Sequence, residues 1–159
     1  MFCCIPNQPR PIFCPLIVRS ENNIINPVVP TTDFGFFYNT APGEIETGAL
    51  IPLTFVSGRG TTISQSTTPG AITLLPGTYQ ISYTANAVTP TGENVTIDLE
   101  LNGTEVSGSA VTASGTAGTS VVLGQTIVLT TQTTSTLELV NISGETTEFL
   151  SASVTINRL

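Results

Sequence analysis

Tyr79-Gln80-Ile81-Ser82-Tyr83-Thr84-Ala85-Asn86-Ala87 places an apolar residue at every odd position and a polar one at every even position. A period of two is the pattern of a strand with one buried face. Val95-Thr96-Ile97-Asp98-Leu99-Glu100-Leu101 repeats it, and Asn102-Gly103 follows at once. Asn-Gly suits the two-residue type I′ turn, in which both central residues take positive φ, so two antiparallel strands meet there.

Working outward, further strands are expected at 34–40, 49–56, 71–75, 105–111, 119–130, 136–141 and 149–157. The breaks between them carry turn residues: Ala41-Pro42-Gly43, Ser57-Gly58-Arg59-Gly60, Pro69-Gly70, Pro76-Gly77, Thr89-Pro90-Thr91-Gly92 and Ser143-Gly144. No stretch keeps helical spacing over three turns. Eight to ten short strands in this length imply a β-sandwich or jelly roll. The doubly apolar runs Val121-Val122-Leu123 and Ile127-Val128-Leu129 are expected to be covered on both faces.

Only 9% of the 159 residues are charged, with four Arg and neither Lys nor His, and the net charge is -7. Nucleic-acid binding rests on clustered cations, so that class is excluded. No run of eighteen apolar residues occurs, and no membrane partner is expected. The apolar pieces near the N-terminus are broken by proline and form no secretory signal, so a protein made in the cytosol is expected. Hydrolytic Ser or Cys nucleophiles need a base, usually His or Lys, and neither is present. Asp98 and Glu100 share one face of a strand, as a glycosidase carboxylate pair would, but they read as a solvated outer face opposite Ile97, Leu99 and Leu101. Glu44, Glu46, Glu145 and Glu148 are placed in loops. No cofactor and no metal are expected.

The first 32 residues differ from the rest. They hold six prolines and all three cysteines, Cys3, Cys4 and Cys14, among apolar residues that include Phe2, Ile5, Phe13, Leu16, Ile17 and Val18. Proline fixes φ and removes a donor, so residues 1–32 read as an extended connector arm before a domain at 33–159. Fully extended at about 3.3 Å per residue, the arm spans roughly 100 Å. The alternative, a disordered tail, leaves its apolar residues in water. Three cysteines with no His do not make the four-ligand set of a structural zinc site. An odd number cannot all pair within the chain, and adjacent cysteines on an extended backbone point apart, so intermolecular disulfides are expected. Arg10 and Arg19 against Glu21 leave the arm slightly basic beside an acidic domain.

Leu75-Pro76-Gly77-Thr78-Tyr79-Gln80-Ile81-Ser82-Tyr83, with Val95 to Leu101 and the Asn102-Gly103 turn, resembles the P-G-x-Y strand and L-x-L-N-G hairpin of the C1q/tumour-necrosis-factor-like jelly roll. Gly118 to Gly124, Leu137 to Asn141 and Ser151 to Ile156 resemble its bacterial branch, the C-terminal tip domain of collagen-like glycoproteins of the spore surface (exosporium). The aromatic opening at Phe34, Phe36, Phe37 and Tyr38 falls where that family begins. The resemblance covers 33–159 and implies an all-β jelly roll of about ten strands, assembled as a homotrimer, without enzymatic activity. It also implies deposition on the spore surface after mother-cell lysis. Relatives carry a collagen stalk before this domain, whereas here the Cys/Pro arm stands in its place.

These readings lead to a self-assembling subunit of a spore-surface fibre or appendage. Homotrimers stack into a homopolymer through arms that dock by Phe2, Ile5, Phe13, Leu16, Ile17 and Val18 and are locked by Cys3, Cys4 and Cys14. The trimer interface, or else ordinary core, is assigned to Phe34, Phe36, Phe37, Tyr38, Phe149, Val154 and Ile156. A spore coat or exosporium anchor protein is a further expected partner. The rival reading is a trimeric tip module that binds a surface, glycan or host protein and is tethered through its cysteines. The lack of Trp and the single loop cation, Arg59, tilt the choice toward scaffold.

Overall fold

A computed structural model describes residues 32–90 and 94–159. All arm residues named above, Phe2, Cys3, Cys4, Ile5, Phe13, Cys14, Leu16, Ile17 and Val18, lie outside the described residues.

The described residues form twelve strands: β1 (Phe34–Asn39), β2 (Gly43–Ile45), β3 (Thr54–Arg59), β4 (Ile63–Gln65), β5 (Ile72–Leu74), β6 (Gly77–Val88), β7 (Val95–Leu101), β8 (Thr104–Glu105), β9 (Val111–Ala113), β10 (Ser120–Thr131), β11 (Ser135–Asn141) and β12 (Thr147–Arg158). They form two antiparallel sheets. The front sheet runs β10-β6-β12-β1-β3, with β2 also on β12; the back sheet runs β4-β5-β11-β7-β8, with β9 also on β7.

Strict alternation builds the core between them. Tyr79, Ile81, Tyr83, Ala85 and Ala87 of β6 are buried, and Val95, Ile97 and Leu99 of β7 face them from the back sheet. Phe37, Phe149, Val154 and Ile156 join the same core. Burying one such side chain contributes about 1.5–3 kcal/mol. At the expected hairpin, Asn102 (φ 54°) and Gly103 (φ 73°) both adopt the left-handed conformation that a type I′ turn requires.

Several expectations need correction. Residues 49–56 do not form one strand. Ile51 donates its N–H to Leu139 O (2.8 Å) and Ala49 O accepts from Asn141 N–H (3.0 Å), so 49–51 lie along β11 of the back sheet. Pro52 has no N–H to continue that ladder, and the chain crosses to the front sheet before β3 begins. The expected strand 105–111 is also split, because residues 106–110 fold in between β8 and β9. Strands β2 and β4, three residues each, were not expected. Glu44 and Glu148 are not in loops but stand opposite one another on β2 and β12. Among the described residues nothing supplies the expected cover on both faces of β10, where Val122 is 73% and Val128 63% exposed.

Candidate self-association face and arm anchor

Strand register lays out the outward face of the front sheet in rows. One row reads Phe34, Asn157, Gln80, Val128; the next Phe36, Thr155, Ser82, Thr126; the next Tyr38, Ser153, Thr84, Gly124; and a short one Ser151, Asn86, Val122. None of these side chains is charged, and charge bounds the face at two corners: Arg59 of β3 stands opposite Phe34, and Glu148, with Glu44 beside it, stands opposite Val88 in the row beyond Ser151. The hydroxyls pair with one another across the strands: Ser82 with Thr126 (2.8 Å), Thr84 with Ser153 (2.8 Å) and Thr78 with Thr130 (3.0 Å). A polar surface whose groups already satisfy each other loses less when water is removed. Asn86 is the exception, since its Oδ1 is the one buried side-chain oxygen or nitrogen without a hydrogen bond among the described residues.

Seven aromatic and aliphatic side chains from the sequence thus divide between two places. Phe37, Phe149, Val154 and Ile156 are core. Phe34, Phe36 and Tyr38 stand on the outward face, where the rings of Phe36 and Tyr38 stack at 6.1 Å between centroids. Strand β10 completes the face and, among the described residues, forms its edge. It runs twelve residues without a charge or a proline. Edge strands of that kind invite another chain unless something blunts them.

The arm's point of attachment is held by three hydrogen bonds from two residues. Oδ2 of Asp33 accepts the Thr62 hydroxyl (2.6 Å) and the Thr62 N–H (3.2 Å), and Asp33 O accepts the Arg158 N–H (2.8 Å). The Thr62 hydroxyl, above all, holds the Asp33 carboxyl below the usual carboxylate range, and Arg158 acts in the same direction. Gly60, at φ 84°, makes the fit possible, because a Cβ there would fall 2.0 Å from the Asp33 carboxylate.

Asp98 and Glu100, the pair considered for catalysis, have different surroundings. Glu100 is half-buried on the outward face of the back sheet. Asp98, expected in solvent, is 2% exposed. The reason is the 106–110 segment, which covers the stretch of β7 between its pairings with β9 and β8. There the Ser109 hydroxyl donates to Asp98, the Leu99 N–H donates to the same carboxylate oxygen (2.7 Å), and the Tyr83 O–H donates to the Ser109 carbonyl. Gln125 Nε2 ties the segment to β10 by donating to Gly108 O (2.9 Å). Burial foremost, and then the Asp98 charge, pushes the Tyr83 phenol up to about 12, so at neutral pH it is a donor and not a base. The cluster plugs an edge of the sandwich. Among the described residues no three Cys, Asp or Glu side chains lie close enough together to hold a metal ion.

Sequence reasoning missed Val122, Val128, Asn86 and Asp33. Only Val122 and Val128 left a signal, as part of apolar runs too continuous for a half-buried strand.

No protein-family model matches the chain, and no curated protein is similar to it in sequence. Solved structures do match its fold. The globular domain of zebrafish complement 1qA protein superposes with a TM-score of 0.59 at 11% identity, covering 79% of this chain and 94% of that one. The Eiger TNF of S. frugiperda gives 0.63 at 10% identity, covering 80% and 92%. The PRD1 vertex protein P5 gives 0.52 at 16% identity, covering 80% and 97%. The described domain therefore has the C1q/TNF-like jelly-roll fold, with twelve strands where about ten were expected.

Proposed function

We propose that this chain is a structural subunit that assembles with itself: three copies join through the front faces of their sandwiches, and the arms at 1–32 carry each trimer to the next along a fibre on the spore surface. The observation that carries this reading is the front face itself, whose four rows across β1, β12, β6 and β10 are uncharged and leave Val122 and Val128 exposed. The ends of the domain support a directional stack. Asp33, where the arm begins, sits beside Arg158, while Glu44 and Glu148 lie at the other end of β12, roughly 33 Å away at ~3.3 Å per residue, with Glu46 and Glu145 in the adjoining loops. A slightly basic arm leaving one end and an acidic rim at the other make a heterologous contact, which propagates instead of closing. Cys3, Cys4 and Cys14 then lock neighbours by disulfides, each contributing about 2–4 kcal/mol.

Electron microscopy of the purified full-length protein tests this. Filaments of repeating trimers are expected, deletion of residues 1–32 should leave trimers that do not polymerise, and Ser in place of Cys3, Cys4 and Cys14 should give filaments that fall apart in hot detergent. Isolated trimers of the full chain at high concentration would remove the fibre. They would favour the second reading, a tip module that binds a surface, glycan or host protein, which the fold likeness to the complement 1qA globular domain supports.

A further inference from the structure

Asn102-Gly103 is the only Asn-Gly pair in the chain, and it is exposed to water. Glycine at the second position leaves its backbone nitrogen unhindered. In the reaction this permits, the Gly103 nitrogen gives up its proton and attacks Cγ of Asn102. The new N–Cγ bond closes a five-membered succinimide, the Cγ–Nδ2 bond breaks, and ammonia leaves. Water then opens the ring at either carbonyl, giving aspartate or isoaspartate.

Two features of the turn oppose that ring closure. Asn102 has φ 54°, the left-handed region, where ψ is roughly +47°. In that conformation Cβ lies nearly opposite the Gly103 nitrogen across the Cα–C bond, whereas the ring needs the two almost eclipsed. The second feature is the anchoring of the side chain. Nδ2 of Asn102 donates to Ser135 Oγ (3.2 Å) and Oδ1 accepts the Thr136 N–H (2.8 Å), while the backbone N–H of Asn102 donates to Thr136 O (2.8 Å). The carboxamide is thereby fastened to the first residues of β11. Reaching the reactive geometry means leaving the left-handed conformation and releasing these three bonds together.

We infer that Asn102-Gly103 is a latent deamidation site, silent while the β7–β8 turn is fastened to Ser135 and Thr136 and released when that fastening is lost. The turn that sets the hairpin register is in this sense also a chemical clock for local opening. This holds for the single chain, whether or not it builds fibres.

The test is intact-mass and peptide mass spectrometry of the full-length protein during prolonged incubation at mildly alkaline pH. Three samples are compared: the native chain, the native chain with Ser135→Ala, and the wild-type chain in urea. Conversion at Asn102 is expected to be slower in the native chain than in urea by at least about tenfold, with Ser135→Ala in between. Equal rates for the native and urea-unfolded chains overturn the latent site. A Ser135→Ala chain that keeps its β circular dichroism and deamidates at the native rate overturns the role given to the side-chain anchor.

Discussion

On the back sheet Glu138 of β11, Glu100 of β7 and Glu105 of β8 stand directly opposite one another, three carboxylates in a row across three strands. On the front sheet the comparable row reads Phe36, Thr155, Ser82 and Thr126, two of its hydroxyls bonded to each other. The two faces come from the same alternating strands and differ in what they ask of the solvent. Like charges facing each other across strands repel, and only water and counterions keep that row tolerable. The middle rows of the front face need no such help; only at its far end do Glu44 and Glu148 face one another. One face is committed to solvent, and the other is free to be covered.

The contrast is broken most directly by giving the front face the charge of the back. Val122→Glu with Val128→Glu changes two exposed residues and should leave the fold intact, but a carboxylate held against a second copy without a partner costs roughly 4 kcal/mol, about a thousandfold in association. Sedimentation should then show a monomer where the parent chain self-associates. An unchanged assembly would place the contact elsewhere.

A second, intermediate effect runs through a link between the sheets that involves a charge. Tyr83 of β6 is held protonated by burial and by the Asp98 carboxylate of β7, with a folded pKa of about 12 against the ordinary 10.0. The folded state therefore binds this proton more tightly than the unfolded chain does. Its stabilising contribution is complete below pH 10 and is lost as pH rises through about 12. Tyrosinate absorbance should show a late ionisation that accompanies unfolding, and Tyr83→Phe should remove it and flatten the stability profile between those values. An alkaline profile identical to the parent's would refute the link.

The smallest effect comes from the back row. Glu100→Gln removes the middle charge and should raise stability by about 0.5 kcal/mol, read as a shift in the urea midpoint, with self-association unchanged. A change in assembly from this substitution would mean that the back face is not reserved for water.

Much of the frame was legible because it rests on local pattern. The alternation in β6 and β7 and the Asn102-Gly103 turn each depend on residues adjacent in the chain, and the structure places them where the pattern does. Strands β2 and β4 span three residues each, too few to show a period. Asp98 could not be distinguished from Glu100, since both alternate outward and only the 106–110 segment, folding back over β7, buries one of them. The neutral face was hidden for a related reason. Its rows bring together residues from four strands far apart in sequence, so no window along the chain contains one. Phe36 and Phe37 are neighbours in sequence and were assigned together, yet the pleat sends one outward and the other into the core.

The Asp33 anchor also has a mechanical side. Tension applied at residue 32 enters β1, which is flanked along its length by β12 on one side and β3 on the other. A pull along the strand axis loads those rungs in parallel, so that they must slip together, instead of peeling one after another. The clasp of Asp33 on Thr62 and Arg158 receives the load first, at the end where the arm joins. A chain tugged by its own N-terminus would thus resist as a shear joint rather than as a zip.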